Sequence, residues 1–441
     1  MNRPPLPRST AYAVLAALAA VVILVSTAIF VGVGGRGRTP AAEPHEAHGT
    51  AAPAASGAWV GAWSTAPSGA EPNTLRGFPG MSVRNVVHNG VTGTAARIQL
   101  SNLYGAQPLP VTHASLALAA AHGSPAAVPG SMRRLSFGGQ PTVTIPAGQS
   151  MLSDPVQLAV AAGADLLVTT FSPAPSGPAT YQNQSRQTSY LAHGDRAEDS
   201  QGAGYTAKVQ SWRYLTGVDV WSQEARGAVV AFGDSITAGY NSTPGTNHRW
   251  PDLLATRLRT EPGAPRYSVL NEGISGNRVL LSNAGPPPAN NASGLERFDR
   301  DVLGRTGARV VIMALGVNDI LRTPQQRDPE RIVAGLRKLV ERAHARGLRV
   351  VGATITPFGG HKGAVDLQEV TRQRVNEAIR SGQVFDAVVD FDRVLRDPVS
   401  PESLLPAYDS GDHLHPNDTG YQAMADSIDL EVLKGEAVTA L

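Results

Sequence analysis

The 441-residue chain contains no cysteine. Disulfides, thiolate metal sites and a cysteine nucleophile are therefore excluded. Many bacterial exported enzymes lack disulfides, so this absence does not argue against export. Lysine is scarce, appearing only as Lys208, Lys338, Lys362 and Lys434. Arginine carries the positive charge instead, and with abundant alanine, glycine and proline this bias suggests a GC-rich bacterial genome. Net charge is only +2 and no basic run stands out, so nothing points to a nucleic-acid partner. The 42% hydrophobic and 17% charged content is ordinary for a globular protein, and the length allows two domains after an N-terminal extension.

Charge is missing altogether from Ala11 to Val33, a mostly apolar stretch preceded by Arg3 and Arg8. It exceeds the usual signal-peptide core of about 7–15 residues. At about 1.5 Å per residue it is long enough for a bilayer core of about 30 Å. Residues 1–34 are expected to be an uncleaved membrane anchor with the rest of the chain outside the cytoplasm. A cleaved signal peptide and secretion are the rival reading, since Ser26-Thr27-Ala28 resembles a cleavage site. Arg36 and Arg38 follow the stretch and weaken any positive-inside bias. Residues 35–57 read as a flexible linker, where His45 and His48 are better taken as solvated than as metal ligands.

Two rhythms follow. Over residues 58–222, segments such as Ser82–Val87, Ala96–Leu100, Thr142–Ile145 and Gln187–Leu191 partly or fully alternate apolar and polar residues. Turn signals such as Asn89-Gly90 and Gly138-Gly139 separate them, which predicts an all-β, sandwich-like domain. Over residues 227–441 near-continuous apolar strands recur at Ala228–Phe232, Tyr267–Leu270, Ala308–Leu315, Leu348–Ile355 and Ala387–Phe391. Helical patterns at Trp250–Arg259, Asp328–Arg346, Asp366–Arg380 and Asp418–Leu433 lie between or after them. Such alternation predicts a three-layer α/β domain around about five parallel strands.

Open parallel sheets form their sites beyond the carboxyl ends of the strands. Four short segments meet that condition or can loop back to it: Gly233-Asp234-Ser235, Ser275-Gly276-Asn277, Gly316-Val317-Asn318-Asp319, and Asp412-His413-Leu414-His415. Ser235 is the candidate nucleophile, a helix-capping serine being the common alternative. His415 is the candidate base, because a neutral imidazole takes a proton and returns it. Asp412, three residues earlier, can hold its other nitrogen. His413 and Asp409 are the competing pair, and Ser275 is a rival nucleophile without the flanking glycine frame. The N–H groups of Ser235 and Gly276, with the Asn318 side-chain amide, make a candidate oxyanion hole.

These four blocks, in this order, resemble those of the SGNH (GDSL-type) hydrolases, a family of esterases and lipases. The family letters fall on Ser235, Gly276, Asn318 and His415, and Ile236 stands where the nickname has leucine. The front half is more loosely similar to the β-rich domain preceding the catalytic domain in some bacterial members, through Trp59-Val60-Gly61-Ala62-Trp63 and Leu215–Val220. The resemblance implies a flavodoxin-like sheet, no cofactor or metal, and a shallow site open to solvent. The expected activity is carboxylic ester hydrolysis on a small-molecule or carbohydrate ester. Acyl transfer from the same site is an alternative. So is a surface carbohydrate-binding protein using Trp59, Trp63 or Trp212, although packing in a core is the better reading of those tryptophans. Oligomeric state, acyl chain length and alcohol moiety stay open.

Overall fold

Seven buried residues, Gly227–Gly233, form the second strand of a five-stranded sheet. Its neighbours are Tyr267–Gly273 on one side and Ala308–Ala314 on the other, followed by Arg349–Ala353 and Ala387–Val389, all parallel. In chain order the strands thus stand 2-1-3-4-5. The first connection runs one way and the second the other, which opens a crevice beyond the carboxyl end of Gly227–Gly233. The computed structural model describes residues 57–283, 291–364 and 366–435. The expected anchor and nearly all of the linker lie outside them. Among the described residues no helix is long and apolar enough to cross a membrane.

Successive side chains of a strand point to opposite faces, so continuous apolar strands need cover on both. Val230, Phe232, Val311 and Met313 pack in one core with Ile332, Leu336, Val375 and Ile379. Val229, Ala231, Val310 and Ile312 pack in another with Trp250, Leu254, Tyr421 and Met424. Helices Pro329–His344 and Asp366–Arg380 therefore cover one face, and Trp250–Thr260 and Asp418–Asp426 the other. Pro329–His344 starts where Asp328 accepts the Glu330 N–H and proline occupies the first turn.

The preceding residues form antiparallel sheets. One contains Ala58–Ser64, Leu215–Ser222, Gly93–Ser101 and Val156–Val160; another contains Ser189–His193, Met81–His88, Asp165–Ser172 and His113–Leu118. Val60, Ile98, Leu100 and Val218 of the first share a core with Val83, Val87, Leu116 and Val168 of the second. Trp63 and Trp212 pack edge-to-face inside it, ring centroids 4.9 Å apart. Both β-rich and α/β segments fall in one compact unit, Ala55–Leu441. The first strand lies against the sheet-edge strand Tyr267–Gly273. Ser268 Oγ donates to the Gly61 carbonyl at 2.6 Å, and Ser64 Oγ donates to the buried Glu272 carboxylate.

Candidate active site

The site begins with the turn after Gly227–Gly233. A Cβ on Gly233 would stand 2.0 Å from Thr237 Oγ1, so only glycine lets the chain fold back this tightly. Asp234, not Ser235, caps the one-turn helix Ser235–Ala238, its Oδ1 accepting the Ile236 N–H at 3.0 Å. The serine is thereby free of the capping role. Burial raises the Asp234 carboxyl to about 7.

His415 Nε2 stands 2.8 Å from Ser235 Oγ, and its Nδ1 stands 2.7 Å from Asp412 Oδ2. The other Asp412 oxygen accepts the Leu414 and His415 N–H groups at 3.0 and 2.8 Å. One carboxylate thus holds both the imidazole and the loop carrying it. Burial alone would raise the Asp412 carboxyl, but the His415 backbone and ring contacts hold it below its ordinary value. Desolvation lowers the His415 imidazole, against the pull of Asp412. A base that is neutral at neutral pH results. The competing residues pair with each other: His413, at φ 61°, stands 2.6 Å from Asp409. Ser275 Oγ is buried without a partner.

The oxyanion candidates are brought to the same rim by strand register. Gly233 pairs with Gly273 on one side and Ala314 on the other, so Ser235, Gly276 and Asn318 follow strand ends at one level. Gly276 has φ 74°, and a Cβ there would meet Arg322 Cζ at 2.5 Å. Asn318 lies in Val317–Leu321 and is 5% exposed. Its Oδ1 accepts from Arg322 Nε at 3.0 Å, while its Nδ2 is buried with no hydrogen-bond partner. Next to it, Asp319 accepts the Val279 and Leu280 N–H groups at 2.7 and 3.0 Å, tying the third segment to the second. Burial raises that carboxyl to about 6.

Three neighbours escaped the sequence reading. Asn241 Nδ2 donates to Asp412 Oδ2 at 3.1 Å, the Tyr240 ring lies 4.5 Å from the His415 ring, and Arg322 bridges Gly276 and Asn318. Nothing local couples Asn241 to a carboxylate 171 residues away. Arg278, two residues beyond Gly276, donates to the Thr323 and Pro324 carbonyls. The assembly can move a proton from a hydroxyl through an imidazole and back. It also offers an amide donor that lacks an acceptor of its own. A set of side chains able to hold a metal lies elsewhere, at His88, His122 and Asp165.

Residues 231–423 match the model of the GDSL-like lipase/acylhydrolase family. Among solved structures, the chain is similar to a lipolytic protein of the G-D-S-L family from Desulfitobacterium hafniense, at 24% identity, covering 47% of this chain and 99% of that one with TM-score 0.36. It is also similar to Est24, a carbohydrate acetylesterase from Sinorhizobium meliloti (18% identity, 45% and 94% covered, TM-score 0.35). The aryl esterase of M. smegmatis is a third such structure (18% identity, 46% and 95% covered, TM-score 0.36). No curated protein matches the sequence.

Proposed function

Residues 231–423 are a GDSL-like lipase/acylhydrolase domain and the chain is a carboxylic ester hydrolase; from that premise we propose that Ser235, His415 and Asp412 act as its catalytic triad. The observation that carries this reading is the continuous hydrogen-bonded line from Ser235 Oγ through both His415 nitrogens to Asp412. Ser235 Oγ attacks the ester carbonyl while His415 Nε2 takes its proton. The carbonyl oxygen, now negative, is received by the Ser235 and Gly276 N–H groups and by Asn318 Nδ2. His415 returns the proton to the departing alcohol, and the acyl group stays on Ser235. Water then attacks the acyl-enzyme with His415 as base, releasing the carboxylic acid and restoring the serine. Asp412 stays ionised throughout and stabilises the imidazolium.

The substrates proposed are short-chain, lipid or O-acetyl carbohydrate esters, and the place of action is outside the cytoplasm, on the strength of the Ala11–Val33 stretch. A fluorophosphonate probe tests the nucleophile: it should label Ser235 and fail on Ser235→Ala, with ester turnover lost in the same variant. Labelling at Ser275 would overturn the assignment. A membrane-impermeant probe of the same kind, applied to intact cells, should still reach Ser235 if the domain is outside. Turnover across nitrophenyl esters of increasing acyl length, beside acetylated xylan, sorts the substrate classes. A sharp preference for acetyl over octanoyl favours a carbohydrate deacetylase.

A further inference from the structure

Away from the triad, three potential ligands converge at one end of an antiparallel strand pair. His88, the last residue of Met81–His88, stands directly across from Asp165, the first of Asp165–Ser172. His88 Nδ1 is 2.8 Å from Asp165 Oδ1. His122, from the loop after His113–Leu118, places its Nδ1 2.8 Å from Asp165 Oδ2. The three candidate donor atoms all lie within 4.8 Å of one another. Asp165 is buried, with a side chain 3% exposed, whereas His122 is 52% exposed. His88 and His122 line a cavity of about 570 Å³, whose wall also includes Gly245 and His248.

His122 has acceptors on both sides. Its Nδ1 faces Asp165 Oδ2, which also accepts the Gly123 N–H at 2.9 Å, and its Nε2 faces the Gly245 carbonyl. A neutral imidazole has one N–H, so it can satisfy only one of them. A cation bound at Nδ1 resolves the conflict, because it takes the lone pair there and leaves Nε2–H for the carbonyl. Metal-bound histidines commonly donate their second N–H to a backbone carbonyl in this way. Donor atoms on one tetrahedral ion lie about 3.4 Å apart for bonds of about 2.05 Å. The two 2.8 Å contacts fall on the two different oxygens of Asp165, so an ion between the imidazoles would widen each by about 0.6 Å and hold the two ring nitrogens, which lie within 4.8 Å of each other, at about 3.4 Å.

We propose that His88, His122 and Asp165 bind a divalent transition-metal ion, zinc by the donor set of two imidazoles and one carboxylate, with water completing the coordination. The ion would act as a clamp. It fixes His122, and His122 holds the loop at Gly245. That loop also carries Tyr240, against the His415 ring, and Asn241, on Asp412. The metal takes no part in ester chemistry in this proposal, which is independent of the triad assignment.

Isothermal titration of Zn²⁺ into chelator-stripped full-length protein tests it. Wild type should bind one equivalent, and Co²⁺ in the same site should show the visible bands of a tetrahedral ion. His122→Ala, at a side chain 52% exposed, should weaken binding by at least about 100-fold and abolish the Co²⁺ bands. His113→Ala should bind as wild type does, although His113 also sits between two carboxylates, Asp195 and Glu198. Zn²⁺ should raise the melting temperature of wild type and of His113→Ala by a few degrees, and leave His122→Ala unmoved. Absence of stoichiometric binding would overturn the proposal. Binding that His122→Ala leaves intact would overturn it as well.

Discussion

Asn318 divides its side chain between two neighbours. Arg322 Nε holds Oδ1 at 3.0 Å, which fixes the amide plane, and Nδ2 is left buried without a protein acceptor. Leaving a buried donor unsatisfied costs about 1–3 kcal/mol in the resting protein. That cost is recovered if the acceptor arrives with the reaction, as the oxyanion of a tetrahedral intermediate. A donor used this way contributes to the transition state and little to ground-state binding. Asn318→Ala should therefore lower kcat by about 10²–10³-fold with KM nearly unchanged. Steady-state kinetics on a nitrophenyl ester reads both constants, and a variant with undiminished kcat removes Asn318 from the mechanism. The candidate residues could be picked out of the sequence because the chemistry asked of them is narrow: a serine, a histidine and a carboxylate at fixed order. Their helpers were not. Asn241 and Arg322 have ordinary surface side chains, and only tertiary contact gives them work.

The one-turn helix Ser235–Ala238 carries the candidate nucleophile and depends on Asp234 for its cap. Burial raises the Asp234 carboxyl to about 7, against an unfolded value of about 3.9. The folded state thus keeps a proton over that interval while the unfolded chain has released it. Stability must fall as pH rises from about 4 to about 7, then level off. Asparagine keeps the capping oxygen and cannot ionise. Asp234→Asn should therefore match wild type near pH 4 and exceed it at pH 8. Urea midpoints at the two pH values check this, and equal midpoints at pH 8 would place the burial cost elsewhere. Elements as a class were readable wherever a single period dominates. The strand expected at Ala228–Phe232 is Gly227–Gly233, and the helix expected at Asp366–Arg380 is found at those bounds. The last helix was expected to run to Leu433 but ends at Asp426, with a 3-10 turn at Leu430–Leu433. Ile428, Leu430 and Leu433 are all buried, so the apolar pattern continues through the break and conceals it. Asp429, which caps the second piece through the Glu431 N–H, was the available sign.

Across the whole molecule, the sequence separates a β-rich segment from an α/β segment but is silent about how they meet. Strand Tyr267–Gly273 is an edge of the parallel sheet, and an uncovered edge invites pairing with other chains. Here Ala58–Ser64 lies against it, with Thr65 bridging to Asn271. The contact is anchored on a buried charge. Glu272 accepts from Ser64 Oγ and from Arg305 Nη2, the latter at 2.8 Å, and Arg305 also donates to the Thr65 and Thr216 carbonyls. Glu272 and Arg305 belong to the α/β segment, and Ser64, Thr65 and Thr216 to the β-rich one, so one arginine ties the two together. Desolvation raises the Glu272 carboxyl to about 7, with Arg305 pulling the other way. Arg305→Met would remove that counter-charge while retaining an unbranched apolar stem. Breaking a buried pair from one side costs about 3–5 kcal/mol when the remaining charge cannot escape. A protonated Glu272 escapes it, and losing Arg305 raises that carboxyl further, so the loss should be small at pH 5 and grow by about 1.4 kcal/mol per pH unit above about 7, where the wild-type group ionises. Because the same group braces both segments, tryptophan fluorescence and far-ultraviolet dichroism of the wild type should lose structure at one shared urea midpoint. A pH-independent loss would deny Glu272 its buried charge. Two separated midpoints in wild type would show that the segments stand without each other, and Arg305 would then be a local contact rather than the joint between them.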